Sequence, residues 1–139
     1  MDDIKKPPRK ILVVEDNQDS RELVVKILKN NGFNMIEASD GEEALEKAMK
    51  HKPHLILMDI SIPKIDGYEV AKRLKDQDEF KDIPIVALTA HAMKGDRENF
   101  ISFGFEGYIS KPINIHDLPK QVRSYLKGKR ESILNGNEE

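Results

Sequence analysis

Four apolar runs in the sequence are each followed directly by polar side chains whose types suit phosphate and metal chemistry. They are Glu15 and Asp16 after the first run, Asp59 after the second, Thr89 after the third, and Ser110 and Lys111 after the last. Each has an ordinary explanation by itself, since an acidic residue after a strand often caps the next helix. Their recurrence at the same place after four runs points to a shared site.

The three carboxylates would bring three negative charges into a small volume, which is unfavourable without compensation. A divalent cation would supply two positive charges and Lys111 would supply one, so the sum would be zero. An oxygen-only ligand set with few carboxylates suits Mg²⁺. The sequence has no cysteine, and no histidine stands at these positions, which disfavours zinc. We therefore predict a magnesium site.

The same residue types suit phosphoryl transfer. A carboxylate can act as a nucleophile and form an aspartyl-phosphate. Such transfer depends mainly on positioning and on neutralising the charge of the phosphoryl oxygens. Mg²⁺ and the ammonium group of Lys111 could neutralise that charge, and the hydroxyl group of Thr89 could donate a hydrogen bond to a phosphoryl oxygen.

The apolar runs alternate with helical patterns that could position these side chains. Continuous runs, typical of strands buried on both faces, are Ile11–Val14, Leu55–Met58 and Ile85–Leu88, and weaker predicted strands are Asn34–Ala38 and Gly107–Ser110. Five other segments carry apolar residues at helical spacing. This alternation predicts an α/β protein with a parallel sheet and helices on both faces. Ligands bind such sheets at the carboxyl ends of the strands.

Composition narrows the class of protein. The 139 residues fit one domain, and the formal net charge of −2 gives no general attraction to nucleic acid or to an anionic membrane. No apolar run approaches the roughly 20 residues that a membrane-spanning helix needs. The N-terminal residues lack the apolar segment of a secretory signal. We expect a cytoplasmic protein with no nucleic-acid or membrane partner.

Four segments resemble the receiver domain of two-component response regulators. They are VVEDN (Val13–Asn17), LILMDISIPKIDGYE (Leu55–Glu69), ALTAHAMKGD (Ala87–Asp96) and GYISKPI (Gly107–Ile113). The separations also match, with 43 residues from Asp16 to Asp59, 30 from Asp59 to Thr89, and 22 from Thr89 to Lys111. The resemblance implies a flavodoxin-like (βα)5 fold, a doubly wound parallel sheet with strand order 2-1-3-4-5.

The resemblance also implies a role for each matching residue in phosphorylation. Asp59 would be the phosphoacceptor, and Thr89 and Lys111 would contact the phosphoryl group. Thr89 and Tyr108 would be switch residues, with Tyr108 turning inward when the threonine moves. The bond between Lys111 and Pro112 matches one that is usually cis in this family.

The implied cofactor is Mg²⁺. Its ligands would be the carboxylates of Glu15, Asp16 and Asp59 and the backbone carbonyl group of Ser61. Asp16 would be a direct ligand, and Glu15 would act partly through water. The family often has two aspartates where this chain has glutamate and aspartate, but glutamate is also common at the first position.

The implied partners are a sensor histidine kinase or a phosphotransfer protein, and a downstream protein that binds the face formed by the fourth helix, fifth strand and fifth helix. We expect a receiver domain over residues 10–127, a flexible flank over residues 1–9 and a flexible tail over residues 128–139. With so short a tail, the chain resembles stand-alone regulators of the DivK-like type. We expect it to be a monomer or a weak dimer. The alternative is the receiver segment of a larger regulator or hybrid kinase.

Two other functions compete with that of a receiver domain. An aspartate-nucleophile phosphohydrolase uses a second aspartate two residues after the nucleophile, where this chain has Ser61. We therefore expect self-phosphorylation and autodephosphorylation without turnover of external substrates. A phosphorylation-independent pseudo-receiver is disfavoured by the intact set of acidic, hydroxyl and lysine residues.

Overall fold

The computed structural model describes residues 7–90 and 100–134, with side chains described as far as residue 127. Within these residues five parallel strands form one sheet in the order β2-β1-β3-β4-β5, which confirms the predicted topology. The strands are β1 (Lys10–Val14), β2 (Asn34–Ala38), β3 (Leu55–Asp59), β4 (Ile85–Thr89) and β5 (Gly107–Ser110). Each strand therefore lies where the sequence predicted one.

Helices connect the strands and cover both faces of the sheet. They are α1 (Gln18–Asn30), α2 (Gly41–His51), α3 (Gly67–Lys75), a short 3-10 helix (Asp78–Phe80) and the C-terminal helix (Asp117–Leu134). The predicted fourth helix lies mostly outside the described residues, although residues 100–102 are helical. In the described part of the chain, no helix is long and apolar enough to cross a bilayer.

The C-terminal helix differs in extent from the expected end of the domain. Its backbone is helical as far as Leu134, beyond the predicted boundary at residue 127. Pro119 lies in the first turn, where a missing backbone N–H breaks no intrahelical hydrogen bond. Asn114 accepts hydrogen bonds from the backbone N–H groups of His116 and Asp117 at 2.9 and 3.0 Å, which starts the helix.

The central strands are buried on both faces, because successive side chains of a strand point to opposite sides of the sheet. One side packs against α2 and α3, and its strand residues include Leu12, Val14, Ile56, Met58, Ile85 and Ala87. The other side packs against α1 and the C-terminal helix, and its strand residues include Ile11, Val13, Leu55, Leu57, Val86 and Leu88. Each fully buried Leu or Ile contributes about 1.5–3 kcal/mol, so this core fixes the strands that carry the site.

The register of the sheet determines which polar residues become neighbours. Val14 pairs with Met58, so the residue after Val14 lies beside Asp59. Thr89 pairs with Ser110, which brings the residue after Ser110 to the same edge. The polar residues that follow the strands therefore converge, as the parallel arrangement predicts.

A pH-dependent contact begins α2. Asp40 accepts a hydrogen bond from the backbone N–H of Glu43 at 2.8 Å, and the Glu43 carboxylate accepts one from the backbone N–H of Ser39 at 2.7 Å. The hydrogen bond from Ser39 holds the pKa of Glu43 below its usual value of 4.5. Slight burial raises this pKa and Lys47 lowers it, so the net effect is a decrease. A carboxyl group with a lowered folded-state pKa stabilises the fold above its unfolded-state pKa, and the effect is lost as the pH falls through the folded-state pKa.

Glu43→Gln keeps an acceptor oxygen but removes the charge near the helix N-terminus. We expect it to lower the free energy of unfolding by roughly 0.5 kcal/mol at neutral pH, as for an exposed helix-terminal charge. The difference from the unmodified protein should vanish below the folded-state pKa of Glu43. Urea unfolding at a series of acidic pH values measures this, and a difference independent of pH would contradict the assignment.

Candidate functional site

Three carboxylates meet at the carboxyl edge of the sheet. Oxygen atoms of Glu15, Asp16 and Asp59 all lie within 4.8 Å of one another. Glu15 follows β1 and is only 2% exposed, Asp59 ends β3 and is partly buried, and Asp16 is exposed. Two acidic groups are thus held inside the edge while the third faces solvent, which leaves an open side for a cation or a phosphoryl group.

Lys111 binds two of these carboxylates. Its Nζ atom donates to Glu15 Oε1 at 2.6 Å and to Asp59 Oδ2 at 3.0 Å. Burial by itself would lower the pKa of Lys111, but the hydrogen bonds to Glu15 and Asp59 and their charges raise it above its usual value. The ammonium group therefore stays charged and offsets one of the three negative charges.

Burial has the opposite effect on Glu15. It raises the pKa of Glu15 by more than the hydrogen bond from Lys111 lowers it, and the charge of Asp59 raises it further. The backbone N–H of Glu15 donates to Ala38 O at 3.0 Å, and the backbone N–H of Asn17 donates to Glu15 Oε2 at 3.3 Å. Glu15 is therefore held through both its backbone and its side chain.

Asp59 is held from two sides. Its Oδ1 atom accepts a hydrogen bond from the backbone N–H of Ser61 at 2.9 Å, and its Oδ2 atom accepts one from Lys111. These bonds orient the carboxylate at the end of β3. The backbone of Ser61 therefore lies beside Asp59, and the role of its carbonyl group as a metal ligand stays a prediction.

Thr89 and Tyr108 lie on the neighbouring strands. The backbone carbonyl group of Thr89 accepts a hydrogen bond from the backbone N–H of Lys111 at 2.8 Å, so these two residues are joined across the sheet edge. Tyr108 is partly buried and its ring centroid lies 5.6 Å from that of Phe100. The bond between Lys111 and Pro112 is cis, as the resemblance implies.

Sequence reasoning singled out no residue of α1, but the structure brings Arg21 to the site. Its Nη1 atom donates to the backbone carbonyl of Glu15 at 2.9 Å. The sequence pattern that could have indicated this contact is an arginine one turn into the helix that follows an acidic pair. That pattern is common on helix surfaces, so it would not have identified this contact.

Gly67 permits the close approach of α3 to Asp59. A Cβ atom at this position would lie 2.9 Å from Asp59 O and 2.9 Å from Ile60 Cα, which is closer than backbone atoms tolerate. We expect Gly67→Ala to cost about 1–3 kcal/mol of stability, as overpacking does, and to displace the Asp59 backbone. Urea unfolding and phosphoryl incorporation measure the two effects. Unchanged values for both would contradict the steric argument.

An acidic cluster paired with a lysine at the carboxyl edge of a 2-1-3-4-5 parallel sheet defines a class of α/β signalling domains. The chain belongs to the response regulator receiver domain family, whose family model matches residues 11–123. Phosphorylation-based switching in two-component systems is the function of this family. Its members interact with histidine kinases or phosphotransfer proteins and with downstream targets, and they bind Mg²⁺ in their acidic site.

Curated relatives extend over most of the chain. The polar-differentiation response regulator DivK of Brucella anthropi is 44% identical over 119 residues, covering 86% of this chain and 97% of that protein. The protein of the same name from Brucella ovis is 43% identical over 118 residues, covering 85% of this chain and 96% of that protein. This chain is therefore similar to DivK-type regulators along nearly their whole length.

Solved structures share the fold. The chemotaxis response regulator CheY4 of Vibrio cholerae superposes with a TM-score of 0.81 at 30% identity, covering 85% of this chain and 98% of that chain. The receiver domain of the sensor histidine kinase PA1611 of Pseudomonas aeruginosa gives a TM-score of 0.80 at 31% identity, covering 87% and 99%. The latter structure has a magnesium ion coordinated in its active site cleft.

Proposed function

We propose that Asp59 accepts a phosphoryl group from a phosphohistidine of a sensor histidine kinase or a phosphotransfer protein. The observation that carries this proposal is the position of its carboxylate, which lies beside Glu15 and Asp16 and is hydrogen-bonded by Lys111. Lys111 is 52 residues away in the sequence, so the fold brings this cation to the carboxylate. A lone surface aspartate would have no such surroundings.

The carboxylates fit Mg²⁺, because they offer only oxygen ligands, lie within 4.8 Å of one another and include one exposed group. Glu15, Asp16, Asp59 and the backbone carbonyl of Ser61 would hold the ion. When bound, Mg²⁺ supplies positive charge that stabilises the phosphoryl oxygens during transfer.

In the transfer step, one carboxylate oxygen of Asp59 attacks the phosphorus atom. The bond between phosphorus and the histidine nitrogen breaks, and its electron pair returns to the imidazole. The carboxylate of charge −1 becomes an acyl phosphate of about −2. Lys111 then keeps Glu15 as one partner and binds a phosphoryl oxygen in place of Asp59 Oδ2.

The hydroxyl group of Thr89 would bind another phosphoryl oxygen, which gives the phosphorylated state a contact that the free state lacks. A ligand shifts a conformational equilibrium only through such differential contacts. Tyr108 would turn inward as Thr89 moves. The downstream partner would then bind the face that includes β5 and the C-terminal helix.

The acyl phosphate would be lost by autodephosphorylation, with no turnover of external substrates. Ser61 offers no carboxyl group to act as a general acid at the position where aspartate-nucleophile phosphohydrolases carry one. Steady-state assays with a range of phosphate esters would separate a receiver from such a phosphohydrolase.

Transfer from a phosphorylated histidine phosphotransfer domain tests the proposal. The phosphoryl group on the donor histidine is radiolabelled. With Mg²⁺ present, this label should leave the histidine and appear on this protein within minutes. Chelation of Mg²⁺ should stop the transfer. Label that stays on several candidate donors, with active control receivers in parallel, would count against the proposed reaction.

A further inference from the structure

Arg21 connects three elements around the acidic site. It lies in the first turns of α1, and only 18% of its side chain is exposed. Its Nη1 atom donates to the backbone carbonyl oxygen of Glu15 at 2.9 Å, and its Nε atom donates to Glu37 Oε1 on β2 at 3.0 Å. One guanidinium group therefore joins α1, the end of β1 and the neighbouring strand.

The carbonyl group that Arg21 binds belongs to the peptide unit between Glu15 and Asp16. Because this unit is planar, a fixed carbonyl oxygen also fixes the direction in which the chain enters Asp16. The Asp16 carboxylate is exposed, so the packing around it does little to hold it. Its position within the cluster therefore depends on the backbone that Arg21 holds.

Glu37, the second partner of Arg21, is itself held by a polar contact with Lys47. The Nζ atom of Lys47 donates to the backbone carbonyl of Glu37 at 2.6 Å and lies 3.1 Å from Glu43 Oε2. Glu37 is thus anchored through its backbone while its side chain orients the guanidinium. The planar fork of arginine suits this double contact, whereas the single amine of a lysine could not bind both acceptors in the same geometry.

We propose that Arg21 is a positioning residue of the metal site, which sets the orientation of the Glu15–Asp16 peptide and thereby the affinity for Mg²⁺. The inference rests on the proposed magnesium site. Arg21 would act through the backbone carbonyl group of Glu15, to which it donates a hydrogen bond, and not as a ligand of the cation. Residues that orient metal ligands in this way commonly change metal affinity by 10–100-fold when they are replaced.

Calorimetric titration with Mg²⁺ tests this in three variants of the full chain. Arg21→Met should raise the Mg²⁺ dissociation constant about tenfold. Arg21→Lys should give an intermediate increase, because it retains the charge but not both contacts. Glu37→Gln is the matched control, since it keeps an acceptor for Nε and leaves the Glu15 contact in place, and its dissociation constant should stay within about twofold of the unmodified protein.

A second readout separates positioning from a general structural role. With a small-molecule phosphodonor, Arg21→Met should need more Mg²⁺ for half-maximal phosphorylation but approach the rate of the unmodified protein at saturating Mg²⁺. Circular dichroism establishes that each variant is folded at the assay temperature. If Arg21→Met is unfolded, the same comparison is made with Arg21→Lys.

A dissociation constant for Arg21→Met or Arg21→Lys within twofold of that of the unmodified protein would overturn the inference, as would an equal increase in Glu37→Gln. These results leave the proposed function intact, because the unmodified protein would still bind Mg²⁺ and accept phosphate. If the unmodified protein itself bound no Mg²⁺, that result would contradict the proposed function, and not only the role of Arg21.

Discussion

Asp59→Asn is expected to reduce phosphoryl incorporation from a small-molecule phosphodonor by more than about a thousandfold, as loss of a nucleophile does. Asparagine has nearly the same shape, and its side-chain oxygen can still accept the hydrogen bond from Ser61. It lacks the negative charge that makes the carboxylate a nucleophile. The measurement is radiolabel incorporation at fixed Mg²⁺ concentration, with circular dichroism to compare the folds.

Asp66→Asn is the matched control for this variant. Asp66 caps α3 and accepts a hydrogen bond from the backbone N–H of Glu69 at 2.9 Å, a role that asparagine also fills well. The control makes the same chemical change within the loop and helix that follow Asp59, and it should incorporate phosphate at the normal level. Equal incorporation by Asp59→Asn and the unmodified protein would rule out Asp59 as the acceptor.

Lys111→Met is expected to have the second largest effect. It leaves Glu15, which is 2% exposed, without the ammonium group of Lys111, and it removes the hydrogen bond from Lys111 to Asp59 Oδ2. Loss of one member of a buried ion pair costs about 3–5 kcal/mol. We therefore expect a decrease of this size in the free energy of unfolding at neutral pH without Mg²⁺, together with impaired phosphorylation.

Mg²⁺ should recover part of the stability lost in Lys111→Met, because a cation in the cluster offsets the charge that the lysine no longer offsets. Urea unfolding with and without Mg²⁺ measures this recovery. Lys81→Met is the control, since Lys81 is exposed and, among the described residues, pairs with the exposed Asp78 at 3.1 Å, so its loss should cost less than about 1 kcal/mol. Equal losses in the two variants, or no recovery with Mg²⁺, would contradict the charge balance inferred here.

The fold could be predicted because its strongest signals are local. Runs such as Ile11–Val14 and Leu55–Met58 are apolar without alternation, which is typical of strands covered by helices on both faces. The order of strands and helices then limits the topology to a parallel sheet. The extent of the C-terminal helix was less predictable, because the residues of its last turns are polar except for Ile133 and Leu134.

The convergence of the site residues could be predicted for a related reason. Parallel strands end at one edge, so residues at or directly after their ends, such as Asp59 and Lys111, lie along the same edge. Individual contacts depend on side-chain conformation and register, which spacing does not reveal. The double contact of Lys111 and the carbonyl contact of Arg21 therefore emerged only with the structure.

The steric role of Gly67 shows the same limit. The sequence shows a glycine eight residues after Asp59, but it does not show which atoms approach it. The structure supplies the reason, since the backbone of Asp59 and Ile60 occupies the space that a Cβ atom would need. Gly67 begins α3, and the reason for a glycine at this position appears only from the packing of α3 against β3.

Chemical mapping of the phosphorylated residue tests the central claim most directly. Borohydride reduces an acyl phosphate of aspartate to homoserine, so peptide mass spectrometry after treatment identifies the acceptor. We predict homoserine at position 59 in protein incubated with phosphodonor and Mg²⁺, and unmodified aspartate there when Mg²⁺ is chelated. Stably phosphorylated protein that carries homoserine at another position, or at none, would contradict the account.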